Sequence, residues 1–507
     1  MHHSPSPPTG KPRRTAVLVI HGVGNQRPLQ TLRAAADALY TEDASFGPNP
    51  PLWLTFDRDN DERDVDLPVL TTGDIARTGE PPHYVDFHEC YWADVMSETR
   101  FVAVPLWLFE LVRKGPGAMA RRIRPLWFII LLLLDLWLLA SSFPIAWAAA
   151  QLIGVPPVPW LGASCVWLGA LAASFLAMRW NGMLALIPIA AIATLLHVAI
   201  ARRLGVPMPL TSAVAMAFSL AMIGVFVVLN ALVLQTVVGD AARYYRAAPA
   251  NIGVRRAIRK LAVDRLTALH NDPRYDRIVV LAHSLGSTIG YDMLRAYWSE
   301  HCNRFGDPGR DATFAAQDKQ NGQKPGFDAA AWRRRAGILF HRLQTLYEPK
   351  GKRRWIVSDF VTIGSPLTHA AYLSAEGTSR TTLAQSFRRQ RLERELPQNP
   401  AWHTATDGAA IFRLPAQGRS FLHAGAMFSV MRWTNIYFPL SGVIFGDVVG
   451  GKVGPAFGHG VRDQRVPFGR FCKLFAHTNY FNTRNPNAVH LRRLRAAVNL
   501  RRTPVGP

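Results

Sequence analysis

Ser284 has the surroundings of a nucleophile. It stands in Ala282-His283-Ser284-Leu285-Gly286, after the apolar β-branched run 277–282 (RIVVLA) and before a helical pattern (STIGYDMLRAYW). A strand-to-helix turn this tight needs small residues two positions to either side of the serine, and Ala282 and Gly286 meet that demand, with alanine where glycine is usual. Such a turn lifts the hydroxyl out of the sheet and turns the backbone N–H of Leu285 toward a developing oxyanion. A second donor should come from the loop after an earlier strand. Residues 16–20 (AVLVI) end at His21-Gly22-Val23-Gly24, where flanking glycines allow Val23 to present its amide. That loop is no phosphate loop, since GxxxxGK[ST] is absent.

A serine activated in this way needs a base and an acid, which follow it in the order acid, then histidine. Asp447 is the first carboxylate after the run 433–438 (WTNIYF), set among glycines, and Asp463 is its rival. His477 follows the strand-like run 471–475 (FCKLF), with His459 and His490 as competitors. His477 would take the Ser284 proton while Asp447 holds the ring's tautomer. Ser365 in Ile363-Gly364-Ser365-Pro366 is read as a helix N-cap with proline at the first helical position.

The elements that must position these residues are four apolar runs, 16–20, 277–282, 359–363 and 433–438, alternating with helical patterns. Continuous apolar strands of this kind predict a mostly parallel sheet with helices on both faces. Between the first and second runs lies a block of different character. Four stretches, near 126–151, 158–178, 183–201 and 210–238, are each close to the ~20 apolar residues that cross a bilayer. Basic clusters before the first and after the fourth place both flanks on the cytoplasmic side. The expectation is four transmembrane helices inserted into one hydrolytic domain, with Asp135 and His197 inside the spans. Both halves can share a sheet only if the number of spans is even.

The 507 residues carry 58 Lys+Arg against 35 Asp+Glu, a net charge of +23, and 49% are hydrophobic. That apolar content excludes a disordered chain. The charge calls for an acidic partner, and anionic inner-leaflet phospholipid is expected rather than nucleic acid, because the basic residues flank the spans instead of forming an aromatic-interleaved stripe. Cys90, Cys165, Cys302 and Cys472 show no CxxC spacing, so neither a disulfide framework nor a zinc site is read.

The strand before HGVGNQ, the AHSLGS turn, TIGSPL and the terminal HTNY together resemble the α/β-hydrolases of lipase and esterase type, in particular bacterial membrane-associated ones. Residues 89–94 (ECYWAD) and 239–244 (GDAARY) share the resemblance without an assigned role. The resemblance implies ester hydrolysis through an acyl-enzyme, with Ser284, Asp447 and His477 as triad, Val23 and Leu285 as oxyanion donors, and neither metal nor cofactor. The expected domains are a disordered tail at 1–13, hydrolase parts at 14–124 and 239–500, and the membrane insertion at 125–238. Lid-like segments are expected near 303–356 and 374–425. The expected location is a bacterial inner membrane with the hydrolase on its cytoplasmic side and a lipid or lipophilic ester as substrate. A catalytically silent membrane scaffold is the second reading.

Overall fold

In the computed structural model the four apolar runs are neighbouring strands of one mixed eight-stranded sheet. The structure describes residues 11–24, 26–56, 68–96, 239–245, 249–301, 328–345, 355–374, 426–441, 445–458, 460–467 and 476–502, with short stretches between 110 and 127, at 381–386 and between 403 and 422. The chain divides into two units, Met1–Ser97 with Ala247–Glu376 and Ala384–Pro507, and Glu98–Arg246 with Gly377–Leu383. In the second unit the longest described element is the helix Gly239–Tyr245.

The sheet belongs to the first unit. Its strands are β1 (Arg13–Ile20), β2 (Leu52–Phe56), β3 (Pro68–Thr72), β4 (His83–Cys90), β5 (Arg277–His283), β6 (Val357–Ile363), β7 (Arg432–Tyr437) and β8 (Arg462–Arg465). They lie in the order β8-β7-β6-β5-β1-β4-β3-β2. Pairing is parallel from β8 through β4, and β3 and β2 continue antiparallel at one edge. In register, Ile20 stands between Cys90 and Ala282, so the loops after β1, β4 and β5 emerge side by side.

The central strands β1, β5, β6 and β7 are largely apolar because both of their faces are covered. Val17, Val19, Val279, Leu281, Val361 and Ile363 pack with Leu32 and Ala35 of helix α1 (Gln30–Ala36). Leu491 and Leu494 of a C-terminal helix (Val489–Val498) join the same core. Helices α2 (Pro249–Asn271) and α3 (Leu285–His301) pack on one another, and α3 lies against β5 and β1. Burying such side chains contributes about 1.5–3 kcal/mol each, so the sheet is a rigid platform for what its loops carry.

At the strands' starting ends, Asp359 gathers three arginines. Arg277 Nη2 donates to it at 2.7 Å, Arg432 Nε at 2.8 Å and Arg502 Nη1 at 2.8 Å. Arg277 also reaches the carbonyls of Val498 and Asn499, which pins the C-terminal helix end to β5 and β6.

The expected fold class and location need correction. Among the described residues no helix is long and apolar enough to cross a membrane. The spans expected between 126 and 238, with Asp135 and His197, lie outside the described residues apart from Trp127. The fold is therefore an α/β unit built on a mixed sheet, and neither the four-helix transmembrane bundle nor the inner-membrane location stands as part of it. Apolar length in a sequence measures composition, and composition by itself does not make a spanning helix. The lid-like segments are described only in part, with a helix at Ala329–Thr345. Of the expected tail, only 11–13 are described, and Arg13 already belongs to β1.

Candidate active site

The turn between β5 and α3 holds Ser284 at φ 53°, in the left-handed region that an L-residue other than glycine adopts only under constraint. The constraint is visible. Ser284 N–H donates to Ile363 O at 3.0 Å, and α3 begins at the next residue. Two glycines make the turn possible. A Cβ on Gly286 would overlap the carbonyl oxygens of Ile20 and His21, and a Cβ on Gly22 would lie 2.7 Å from Ser284 Cβ. The loop after β1 thus runs directly against the serine. Ala282 is fully buried in β5, with its side chain accommodated where glycine is usual.

His477 lies in a single 3₁₀ turn, Ala476–Thr478, tied by Ala476 N–H to Gly446 O at 2.9 Å. Its Nε2 is 2.8 Å from Ser284 Oγ, and its Nδ1 is 2.9 Å from Asp447 Oδ1. Burial alone would raise the Asp447 carboxyl. The His477 charge and hydrogen bond, the Tyr480 hydroxyl and the Gly450 amide outweigh burial and hold it at about 2. A charged carboxylate can only accept, so the Asp447 contact places a ring proton of His477 on Nδ1. Nε2 is then free to accept from Ser284, the tautomer a general base requires.

Asp447 is 1% exposed and fully engaged. Oδ1 also accepts from the amides of Val449 and Gly450, both at 2.8 Å, and Oδ2 accepts from the Tyr480 hydroxyl at 2.6 Å. Tyr480 in turn accepts from Phe438 N–H at 3.0 Å, and burial beside Asp447 raises its phenol, which stays protonated. Sequence reasoning assigned Tyr480 no role. Its signal was position: three residues after His477.

The rivals are elsewhere. Asp463 sits in β8, accepting from Asn435 Nδ2 at 2.7 Å and from the amides of Val453 and Gly454. It therefore shapes the loop that leads to β8. His490 binds the carbonyl of Asn482, and His459 lies outside the described residues. The run 471–475, expected as the strand before His477, also lies outside them, and the last strand seen is the polar β8. Ser365 caps a 3₁₀ turn, accepting from Leu367 N–H at 3.3 Å with Pro366 at its first position.

Two further histidines brace the site. Burial lowers His283 to about 3, with the His477 charge adding to the effect, so its ring is neutral. Its Nε2–H donates to the His477 carbonyl at 3.0 Å. Burial likewise lowers His21 to about 4. His21 Nδ1–H donates to Gly22 O at 2.8 Å, and Nε2 accepts from Trp92 N–H at 3.2 Å. In a trans peptide the N–H points opposite to the C=O, so fixing Gly22 O fixes the direction of the Val23 N–H. Leu285 and Gly286 open α3, where amides have no carbonyl one turn back.

Residues 89–94 now have a structural role: they hold the loop after β1. Glu89 Oε2 accepts from Leu29 N–H at 2.7 Å, the Tyr91 hydroxyl donates to Gln26 O at 2.9 Å, and Trp92 Nε1–H donates to His21 O at 3.1 Å. The Trp92 ring stacks on His21 at 4.7 Å.

Among the described residues no group of three His, Cys, Asp or Glu side chains could hold a metal ion. Comparison with known proteins finds no matching family, no matching curated protein and no matching solved structure.

Proposed function

We propose that this chain is a serine hydrolase of α/β-hydrolase type that cleaves acyl esters. The reading rests on one observation: the unbroken chain Ser284 Oγ, His477 Nε2, His477 Nδ1, Asp447 Oδ1, with links of 2.8 and 2.9 Å, begins at a serine in a left-handed strand-to-helix turn.

In the proposed reaction Ser284 Oγ attacks the ester carbonyl as His477 Nε2 takes its proton. The new C–O bond moves the carbonyl electron pair onto oxygen, where the N–H groups of Leu285 and Val23 receive it. Collapse expels the alcohol, protonated by His477, and leaves an acyl group on Ser284. Water, deprotonated by His477, then attacks the acyl-enzyme, releasing the acid and returning the proton to Ser284. The apolar acyl portion of a lipid or other lipophilic ester is the substrate class that the sequence resemblance favours.

Labelling of the full chain with an alkyl fluorophosphonate tests the proposal. The probe should bind wild type at one residue, with no labelling of Ser284→Ala. A folded wild-type chain that resists the probe would support a silent scaffold instead.

A further inference from the structure

A cleft at the opposite end of the sheet from Ser284 is lined by Arg333, Arg432, Arg462 and Arg502, with Trp332 and Trp433 among its walls. Five residues of extended strand, about 16 Å, separate Asp359, to which two of these arginines bind, from Gly364, which lies against the His477 ring. The cleft is therefore not part of the ester site.

Its charge is unbalanced. Asp359 already serves Arg277, Arg432 and Arg502, so three guanidiniums share one carboxylate. Arg333 and Arg462 have no acidic partner among the described residues. Burial and the charges of Arg333 and Arg493 lower the Arg462 guanidinium, as expected of cations facing one another without an anion between them. Arg432 offers Asp359 its Nε and Nη2, which leaves Nη1 to face another ligand. A guanidinium presents planar N–H forks that match oxyanions, and a phosphoryl group has enough oxygens and charge to engage several forks at once. A lone carboxylate would leave most of the donors unused.

We propose that this cleft binds a phosphoryl group carried by a small molecule, at a site separate from the triad.

The test is calorimetric titration of the full chain with inorganic phosphate at constant ionic strength, with dihexanoyl phosphatidate as a second arm. Saturable binding of inorganic phosphate is expected, weakened at least about tenfold in Arg462→Ala and in Arg333→Ala, as loss of charged hydrogen bonds implies. Both residues lie outside the Asp359 cluster, so these variants keep the fold, checked by their melting curves without phosphate. Binding of phosphatidate alone, with the same loss in the variants, supports the site and assigns the phosphoryl group to a lipid. No binding by either probe, or binding that the variants leave unchanged, overturns the proposal. Replacement of the phosphate response by an equal response to chloride also overturns it.

Discussion

The Tyr480 hydroxyl stands 2.6 Å from Asp447 Oδ2, on the opposite side of the carboxylate from His477. The acid is thereby held at both oxygens, and its orientation toward the His477 ring is fixed by a residue three positions after that histidine. Tyr480→Phe removes one charge-assisted hydrogen bond and leaves Phe438 N–H without its acceptor. We expect a loss of about 2 kcal/mol in unfolding free energy and slower fluorophosphonate labelling. Urea unfolding and labelling rates measure the two, and wild-type values for both would reduce Tyr480 to packing.

The strained serine predicts a trade of stability against chemistry. Ser284→Gly relieves a left-handed φ of 53° and should stabilise the chain by about 1 kcal/mol while abolishing labelling. Gly286→Ala acts the other way. Its Cβ would stand 2.5 Å from Ile20 O, and a loss of about 3 kcal/mol is expected. Thermal unfolding of both variants checks the pair, and a destabilised Ser284→Gly would contradict the strain argument.

The acid limb of stability should carry the mark of two carboxylates. Asp447 is lowered from 3.8 to about 2. Asp359 is lowered further, because the charges of three arginines outweigh its burial. A depressed carboxyl binds fewer protons folded than unfolded, so its contribution is fully present above the unfolded value of 3.8 and is lost as pH falls through the folded one. For Asp447 that contribution is about 2 kcal/mol. Unfolding midpoints between pH 2 and 7 should fall steeply below pH 4 in wild type and less steeply in Asp447→Asn. Parallel curves for the two proteins would rule out this assignment.

Asp447→Asn should also reduce hydrolysis by about 10⁴-fold, since an amide stabilises the wrong tautomer of His477. Because Asp447 remains charged down to about pH 2, any loss of wild-type activity above pH 4 must come from another group. Initial rates across pH in both proteins decide this. An Asn variant with near-normal turnover would remove Asp447 from the triad.

His21 is a positioning residue in this scheme, acting through the Gly22–Val23 peptide. His21→Phe removes the donor that fixes Gly22 O, and about a tenfold fall in kcat with KM little changed is expected, the signature of an interaction made only in the transition state. A change confined to KM would place His21 in substrate binding instead.

The chain itself determined what depends on neighbours in sequence. The turn at Ser284 was legible because its requirements are local: an apolar strand before, a helix after, and a glycine at 286 where a Cβ would strike Ile20. The β-branched runs that become β1, β5, β6 and β7 were legible for the same reason, since burial on both faces leaves no polar alternation. Position in the chain favoured Asp447 but left Asp463 as a rival; only the tertiary structure shows that Asp447 faces the His477 ring while Asp463 faces the Asn435 amide. Tertiary structure alone disclosed Tyr480 beneath the acid, residues 89–94 bracing the loop after β1, and the polar strand β8. The four spans expected between 126 and 238 lie outside the described residues apart from Trp127, and among the described residues no helix is long and apolar enough to cross a membrane. Partners brought together across more than a hundred residues are selected by packing and hydrogen-bond geometry, and no local pattern encodes which donor will meet which acceptor.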